Sequence, residues 1–518
     1  MTSQRSTISD GLQNQVESYL LTHFDGFWQF VQKVPFLRKA ANRFLLNSAI
    51  YKTETRPYPL STLAPYTSWE SLTNRVYSSR HLPPVQQVSD LPNPDDVADV
   101  FMRRGETIEC PKSTVLFAYF AQWFTDGFLR TDRTDLRKNT SNHEIDLCQL
   151  YGLRKSTTDL IRSFQGGRLK SQIIKDEEYP PYLCENGSVK PEYAELPEVQ
   201  IDGLPAEQRN QLFAMGGDRA NVQIGYVMFN VLFFREHNRI ARVLAQKYSG
   251  WDDERIFQTA RNILTVILLR IVIEEYINHI APYYFKFFLD AAAFPNERWY
   301  RENWMAVEFT LLYRWHMLIP SAVALDGKNL PTPATMWNTT LITSRGLGAV
   351  FQDASLQPAG RVGLFNTPPF LRDPEMKSVR MCRDLQLASY NDYRAMCEFP
   401  RVTDFDQISG DPEVQRELRR LYKQADRIEY YVGLFAEDTR PNSVLPPLIG
   451  RLVGVDAFSQ ALTNPLVNPH IFNEGTFSNL GMDLIENTRN LSDVLRRNVP
   501  ASGQPIFVSM TRRDWKRI

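Results

Sequence analysis

The chain has 518 residues, 43% of them hydrophobic, with 31 Phe and 22 Tyr; that is enough apolar side chain for one large core. Lys plus Arg (59) balance Asp plus Glu (59), so no net field draws in nucleic acid or another polyanion. Five scattered cysteines, Cys110, Cys148, Cys184, Cys382 and Cys397, form no CxxC pair; the pattern argues against a disulfide framework or a thiolate zinc site and fits a reducing compartment.

Residues 1–14 are polar, lack the apolar core of a signal peptide, and are expected to form a disordered leader. Residues 15–56 are expected to form short amphipathic helices. Tyr19, Leu20, Phe24, Phe27, Trp28, Phe30 and Val31 come first, then Phe36, Leu37, Phe44, Leu45, Leu46 and Ile50, with Lys33, Arg38, Lys39 and Arg43 interleaved. Bulky apolar faces with basic edges suit helices lying in one leaflet of a bilayer; a helical hairpin packed on the domain is the competing reading. Residues 53–100 are Pro-rich and irregular, and the apolar stripe over 113–130 predicts a helix. After loops across 132–210, two long helices are expected over 219–249 and 252–281. Asp252, Asp253 and Glu254 mark the second start, where acids favour the positive helix end. A further helix is expected over 301–318, ending near Pro320, with loops and short helices over 321–380 and helices over 411–436 and 443–463. Strand-like alternation is rare, so the class is mainly α, with one large helical catalytic domain over 57–518. No uncharged apolar run of about 20 residues occurs; Ile263 to Leu269, resuming at Ile271, reads as a buried helix.

No histidine pair has HExxH or HxxxH spacing, and GxSxG, P-loop, kinase and complete GxGxxG patterns are missing. Zinc hydrolysis and nucleotide-dependent chemistry therefore have no support. The segment Glu308-Phe309-Thr310-Leu311-Leu312-Tyr313-Arg314-Trp315-His316 stands out. On a helix, Tyr313 and His316 would share a face, one turn apart. An imidazole can bind haem iron, and a nearby phenol can pass an electron to an oxidised haem; a core His beside a core Tyr is the bland alternative.

Tyr313-Arg314-Trp315-His316 resembles the Tyr-His-Trp-His of the cyclooxygenases, with Arg314 replacing the first His. Phe117 to Thr125 resembles the distal haem helix of that family, and Arg235-Glu236-His237-Asn238-Arg239 is the REHNR signature of the animal haem peroxidase superfamily. Ile145-Asp146-Leu147, Ile271 to Tyr276, Thr67 to Ser71 and Tyr390-Asn391-x-Tyr393-Arg394 are similar as well. The resemblance covers roughly residues 20–480 in order.

The resemblance implies a haem peroxidase-like fold holding haem b, with His316 as the proximal iron ligand. Tyr313 would be the tyrosyl radical that takes hydrogen from an unsaturated fatty acid before O2 adds to give a hydroperoxide. Tyr276 would be its hydrogen-bonding partner, and Gln122 would line the distal haem face. Phe309 would contact substrate beside Tyr313, and Tyr283 would stand near the channel mouth. Asp126 falls where the family has its distal histidine, and a carboxyl group can move the same proton if its pKa suits. Arg219 falls where related peroxidases carry a distal arginine that polarises a bound peroxide. Val222 replaces the glutamate that esterifies haem, so no such link is expected, and the REHNR charges and His237 read as structural. The carboxylate-binding arginine of the family falls on Ala49. Arg451, where the family has a glutamate, could pair with the substrate carboxylate, in competition with Lys52 and Arg56. Ala457 falls on the aspirin-target serine, with Ser459 close by.

Three functions are compatible with these residues. The first is a haem-dependent fatty-acid dioxygenase. The alternative is a haem peroxidase, isomerase or dehydratase acting on lipid hydroperoxides without net O2 uptake, motivated by Asp126. The third, a non-catalytic membrane scaffold, is disfavoured by the joint presence of Tyr313, His316, Gln122 and Tyr276. The expected partners are a fatty acid or lipid hydroperoxide, O2 and a monotopic membrane surface, with no nucleic acid. Without a growth-factor-like module or signal peptide, the chain resembles the shorter bacterial oxygenases, which implies a cytoplasmic or cytoplasmic-face peripheral location.

Overall fold

The computed structural model describes residues 12–51, 76–86, 88, 90–197, 201–291, 293–300, 302–500 and 505–517. Lys52, Arg56 and the Thr67 to Ser71 motif lie outside them. Helices α1 (Leu12–Thr22), α2 (Asp25–Lys33) and α3 (Pro35–Tyr51) open the described chain, so helix begins inside the segment expected to be a leader. Phe24, in the left-handed conformation at φ 61°, turns the chain from α1 into α2. Val31, Leu45, Leu46 and Ile50 are buried against the rest of the protein, whereas Phe27, Phe30, Phe36 and Phe44 point outward.

The core is helical, and strands are confined among the described residues to four two-stranded antiparallel pieces. Helix α4 (Val115–Thr125) packs on α5 (Ile224–Lys247), and α5 on α6 (Asp253–Ile271). Gly225 permits the first approach: a Cβ there would fall 2.1 Å from Tyr119 Cγ. The Trp123 indole then donates to Asn230 Oδ1 at 2.8 Å, which fixes the rotation of α4 on α5. Asp252 caps α6 by accepting from the Arg255 backbone N–H at 2.8 Å, with Asp253 and Glu254 in its first turn.

α6 continues through a π-helical turn, Val272–Ile277, to Ile280. By length and apolarity this helix could cross a membrane, but 78% of its most apolar window is buried inside the protein; that is the setting of a core helix. The π turn inserts a residue into the helical repeat and rotates the remainder of the helix about its axis. It delivers Tyr276 to Phe117, Phe120 and Phe124, whose ring centroids lie 5.4, 5.2 and 5.9 Å away.

The expected 301–318 helix is much shorter. α7 spans only Val307–Leu312, and His316–Leu318 is a separate 3-10 turn. The cause is a side chain: the Trp315 indole N–H donates to the Leu312 carbonyl at 2.7 Å, and a carbonyl so engaged is satisfied without a further helical turn. Trp315 leaves the helical region at ψ 52°. Tyr313 and His316 are therefore not one turn apart on a helix, and they meet by tertiary packing instead. α8 (Arg372–Asp384) and α9 (Pro447–Leu462) complete the surroundings of the site.

Candidate active site

A cavity of about 460 Å3 lies between α4, the 313–319 segment and the start of α8. It brings together Gln122, Asp126, Arg219, Tyr313 and His316, from separate parts of the chain, along with Val222 and the apolar Ala118, Ala121, Leu318 and Ile319. Its size falls in the range of about 300–1,000 Å3 typical of cofactor pockets.

His316 Nδ1 lies 3.0 Å from Oε1 of the buried Glu375. The distance is that of a hydrogen bond, although the ring N–H is not aligned with the oxygen. With Nδ1 turned to Glu375, Nε2 is the nitrogen left to ligate. Among the described residues no group of three or more His, Cys, Asp and Glu could hold a bare metal ion. One imidazole on a cavity wall suits an iron whose other ligands belong to a macrocycle.

Asp126 is not a free carboxyl group. It accepts hydrogen bonds from Arg219 through Oδ1 and from the Tyr226 hydroxyl at 2.7 Å through Oδ2, and Arg130 lies 3.4 Å from Oδ2. The carboxylate raises the Arg219 pKa, and burial together with Asp126 pushes the Tyr226 phenol well up. Arg130 also pairs with Asp218 at 2.6 Å. Gln122 is held by Gln223, whose amide donates to Gln122 Oε1 at 2.9 Å. Arg130, Asp218, Tyr226, Gln223 and Glu375 were not singled out by sequence; only their placement around the cavity marks them.

Tyr313 edges the cavity with its ring and buries its hydroxyl. Trp315 stacks on it at 4.5 Å, and Phe309 meets it edge-on at 4.9 Å. The Tyr276 and Tyr313 phenols act on each other: after burial, Tyr313 raises the Tyr276 pKa, and the nearby Tyr276 hydroxyl offsets part of the rise that burial imposes on Tyr313. Their approach falls outside strict hydrogen-bond geometry, and neither hydroxyl makes a well-formed bond elsewhere.

A second cavity, about 140 Å3, lies where α1 and α3 meet α9 and the 277–287 segment. Tyr283, Arg451 and Ala49 line it, as do Glu17 and Arg440. Phe287 and Phe458, also in its wall, are in edge contact at 4.9 Å. Ala457 is buried at 6% exposure and lines neither cavity, nor does Phe309. The Ser459 hydroxyl bonds back to the Asp456 carbonyl. The REHNR residues are internal ties: Arg235 pairs with Glu177, Glu236 with Arg239 and Arg497, and Asn238 bonds the Leu169 backbone and Glu178.

The fold and cavity define a mainly helical protein with a single imidazole, His316, on the wall of a cofactor-sized cavity. Residues 131–507 match the animal haem peroxidase family. Over 496 residues the chain is 32% identical to prostaglandin G/H synthase 2 of Equus caballus, covering 93% of this chain and 80% of the relative. It is 30% identical over 497 residues to prostaglandin G/H synthase 1 of Mus musculus, with the same coverage of both. The fold is similar to the fatty acid alpha-dioxygenase of Oryza sativa (TM-score 0.71, 15% identity, 96% of this chain and 99% of that one). It is also similar to peroxidase A of Dictyostelium discoideum (TM-score 0.69, 18% identity, 89% and 100%). The chain belongs to the animal haem peroxidase family. Haem is the cofactor of that family, and the lone imidazole and cavity fit it.

Proposed function

We infer that the protein is a haem-dependent fatty-acid dioxygenase, with His316 holding the iron and Tyr313 carrying the reacting hydrogen. The carrying observation is that Tyr313 shares the His316 cavity while its hydroxyl is buried among aromatic rings and a second phenol. Haem, once bound, supplies the oxidising power that takes one electron from Tyr313, drawn from a peroxide. Loss of the phenolic proton with that electron leaves a phenoxyl radical. The radical then takes a hydrogen atom from a substrate carbon: C–H breaks and the Tyr313 O–H re-forms. O2 adds to the carbon radical, and the peroxyl product recovers a hydrogen atom from Tyr313, so one fatty acid and one O2 give one hydroperoxide. Burial supports this chemistry, because it keeps water and its protons from the radical.

Tyr283, Arg451 and Arg440 at the second cavity are proposed to meet the substrate carboxylate, since arginine suits bidentate pairing with it. Phe309 is proposed to shape the path beside Tyr313. The outward Phe27, Phe30, Phe36 and Phe44, near Lys33, Arg38, Lys39 and Arg43, support contact with one leaflet of a membrane next to that cavity. The hydroperoxide isomerase reading asks Asp126 to move protons, and its carboxylate is already engaged by Arg219, Arg130 and Tyr226; the dioxygenase reading is therefore favoured.

The test is oxygen consumption by haem-loaded protein with a panel of unsaturated fatty acids, beside its Soret spectrum. Uptake that disappears in Tyr313→Phe while the Soret band persists is the expected result. Full uptake by that variant would overturn the radical assignment.

A further inference from the structure

Glu375, in α8, is wholly buried, and the oxygenase reading gives it no task. Burying a carboxyl group is costly unless partners compensate. Here the Thr367 hydroxyl donates to Oε1 at 2.8 Å and the Tyr431 hydroxyl donates to Oε2 at 2.5 Å. The third neighbour is His316 Nδ1, 3.0 Å from Oε1. Both oxygens act as acceptors, so the imidazole edge that faces them is best matched as a donor. Nδ1 then carries the hydrogen, and the Nε2 lone pair is presented to the cavity.

We propose that Glu375 is the positioning residue of the iron ligand: it holds His316 in the tautomer that offers Nε2 to haem iron and makes that nitrogen electron-rich. The proposal rests on the reading of His316 as the ligand. A carboxylate behind a metal-bound imidazole raises its basicity and lowers the reduction potential of the iron. The need for this lies across the cavity. Asp126 is tied to Arg219, Arg130 and Tyr226, and Gln122 to Gln223, so the residues that line the site next to them offer no free carboxylate to take a proton from a peroxide. Beside any polarisation of the peroxide by Arg219, electron donation through the ligand is a second way for the protein to help a hydroperoxide O–O bond accept electrons and break, as the thiolate ligand does in other haem proteins.

The arrangement makes two opposite predictions. Glu375→Gln removes the negative charge, so the iron–imidazole stretch in the ferrous Raman spectrum falls and the Fe(III)/Fe(II) midpoint potential rises. Hydroperoxide turnover falls by about 10–100-fold, and Glu375→Asp restores part of the potential shift. Tyr431→Phe and Thr367→Val strip competing donors from the carboxylate, leaving more of its charge to the imidazole, so the potential falls. An unmoved potential and stretch in haem-loaded Glu375→Gln would overturn the proposal. If that variant does not fold, a potential that stays put or rises in Tyr431→Phe and Thr367→Val overturns it equally. A wild-type spectrum without a histidine-ligated haem overturns the His316 assignment itself, and is thereby distinguished from failure of the Glu375 proposal alone.

Discussion

Arg219 closes an ion pair on Asp126 at the cavity wall, with the arginine half-exposed and the carboxylate buried. The same carboxylate accepts from the Tyr226 hydroxyl and sits beside Arg130. The role proposed for this carboxylate is to aim Arg219, with the arginine as a group that polarises a peroxide. Arg219→Gln is expected to slow hydroperoxide decay by about 100-fold or more, the scale of losing one preorganised donor. Asp126→Asn keeps hydrogen-bonding atoms and should retain a large part of that turnover, while losing about 2 kcal/mol of stability in denaturant unfolding. Stopped-flow decay of a lipid hydroperoxide separates the two. Near-complete loss in Asp126→Asn with an active Arg219→Gln would instead make the carboxylate the acid–base group.

Tyr276 and Tyr313 offer a second comparison. Burial raises both phenols, and after burial each is the largest influence on the other. Neither hydroxyl has a well-formed bond to lose, so Tyr276→Phe and Tyr313→Phe should each change stability by less than about 1 kcal/mol. Their effects on oxygen uptake should differ: complete loss for Tyr313→Phe and partial loss for Tyr276→Phe. A tyrosyl signal in the electron paramagnetic resonance spectrum of peroxide-treated protein should vanish in the first and change shape in the second. A surviving signal of unchanged shape in Tyr276→Phe would show that the two phenols do not interact.

The apolar periodicity made α4, α5 and α6 legible in the sequence, because each buries a broad face and carries local signals such as Asp252 at the start of α6. The end of α7 was not legible. The apolar text runs on through Trp315 towards Pro320, and the helix stops because an indole three residues later takes the Leu312 carbonyl. The π turn that contains Tyr276 has no sequence mark either; it shows only in the structure, where Tyr276 packs against Phe117 and Phe120. Tyr313, His316, Gln122 and Arg219 were found as motif positions, and the cavity unites them. Glu375 could not be found that way, since it is one of 59 acidic residues and only the fold brings it to His316. Ala457 shows the reverse: a motif position that lines neither cavity.

The outward faces of the first helices give a prediction independent of the haem. Phe36 and Phe44 are 71% and 70% exposed, so replacing them disturbs little of the core. Each Phe side chain gains about 1.5–3 kcal/mol on leaving water. Phe36→Ser with Phe44→Ser should therefore weaken partitioning onto lipid vesicles by roughly 100-fold, with the Soret band intact. Equal co-sedimentation of wild type and double variant would remove these residues from any membrane contact.

His237 gives the protein an acid limit. Its ring is buried, with Nδ1 2.7 Å from the Tyr151 hydroxyl and Nε2 2.9 Å from the Gly167 carbonyl. One nitrogen accepts and the other donates, so the neutral ring is satisfied. Burial lowers its pKa from 6.5 to about 4; the Gly167 carbonyl opposes it, and Arg261 and Arg162 add smaller lowering pulls. Between these values the unfolded chain takes up a proton that the folded chain refuses. The stability involved is fully present above pH 6.5 and is lost as pH falls towards 4, to a total of about 3 kcal/mol. His237→Gln should be less stable than wild type at pH 7, and the gap should narrow steadily on acidification. Unfolding free energies measured at pH 7, 6 and 5 check this, since carboxylates that titrate elsewhere affect both proteins alike. Parallel pH profiles for the two would mean that His237 takes its proton while folded, and that the neutral ring does not set the acid limit.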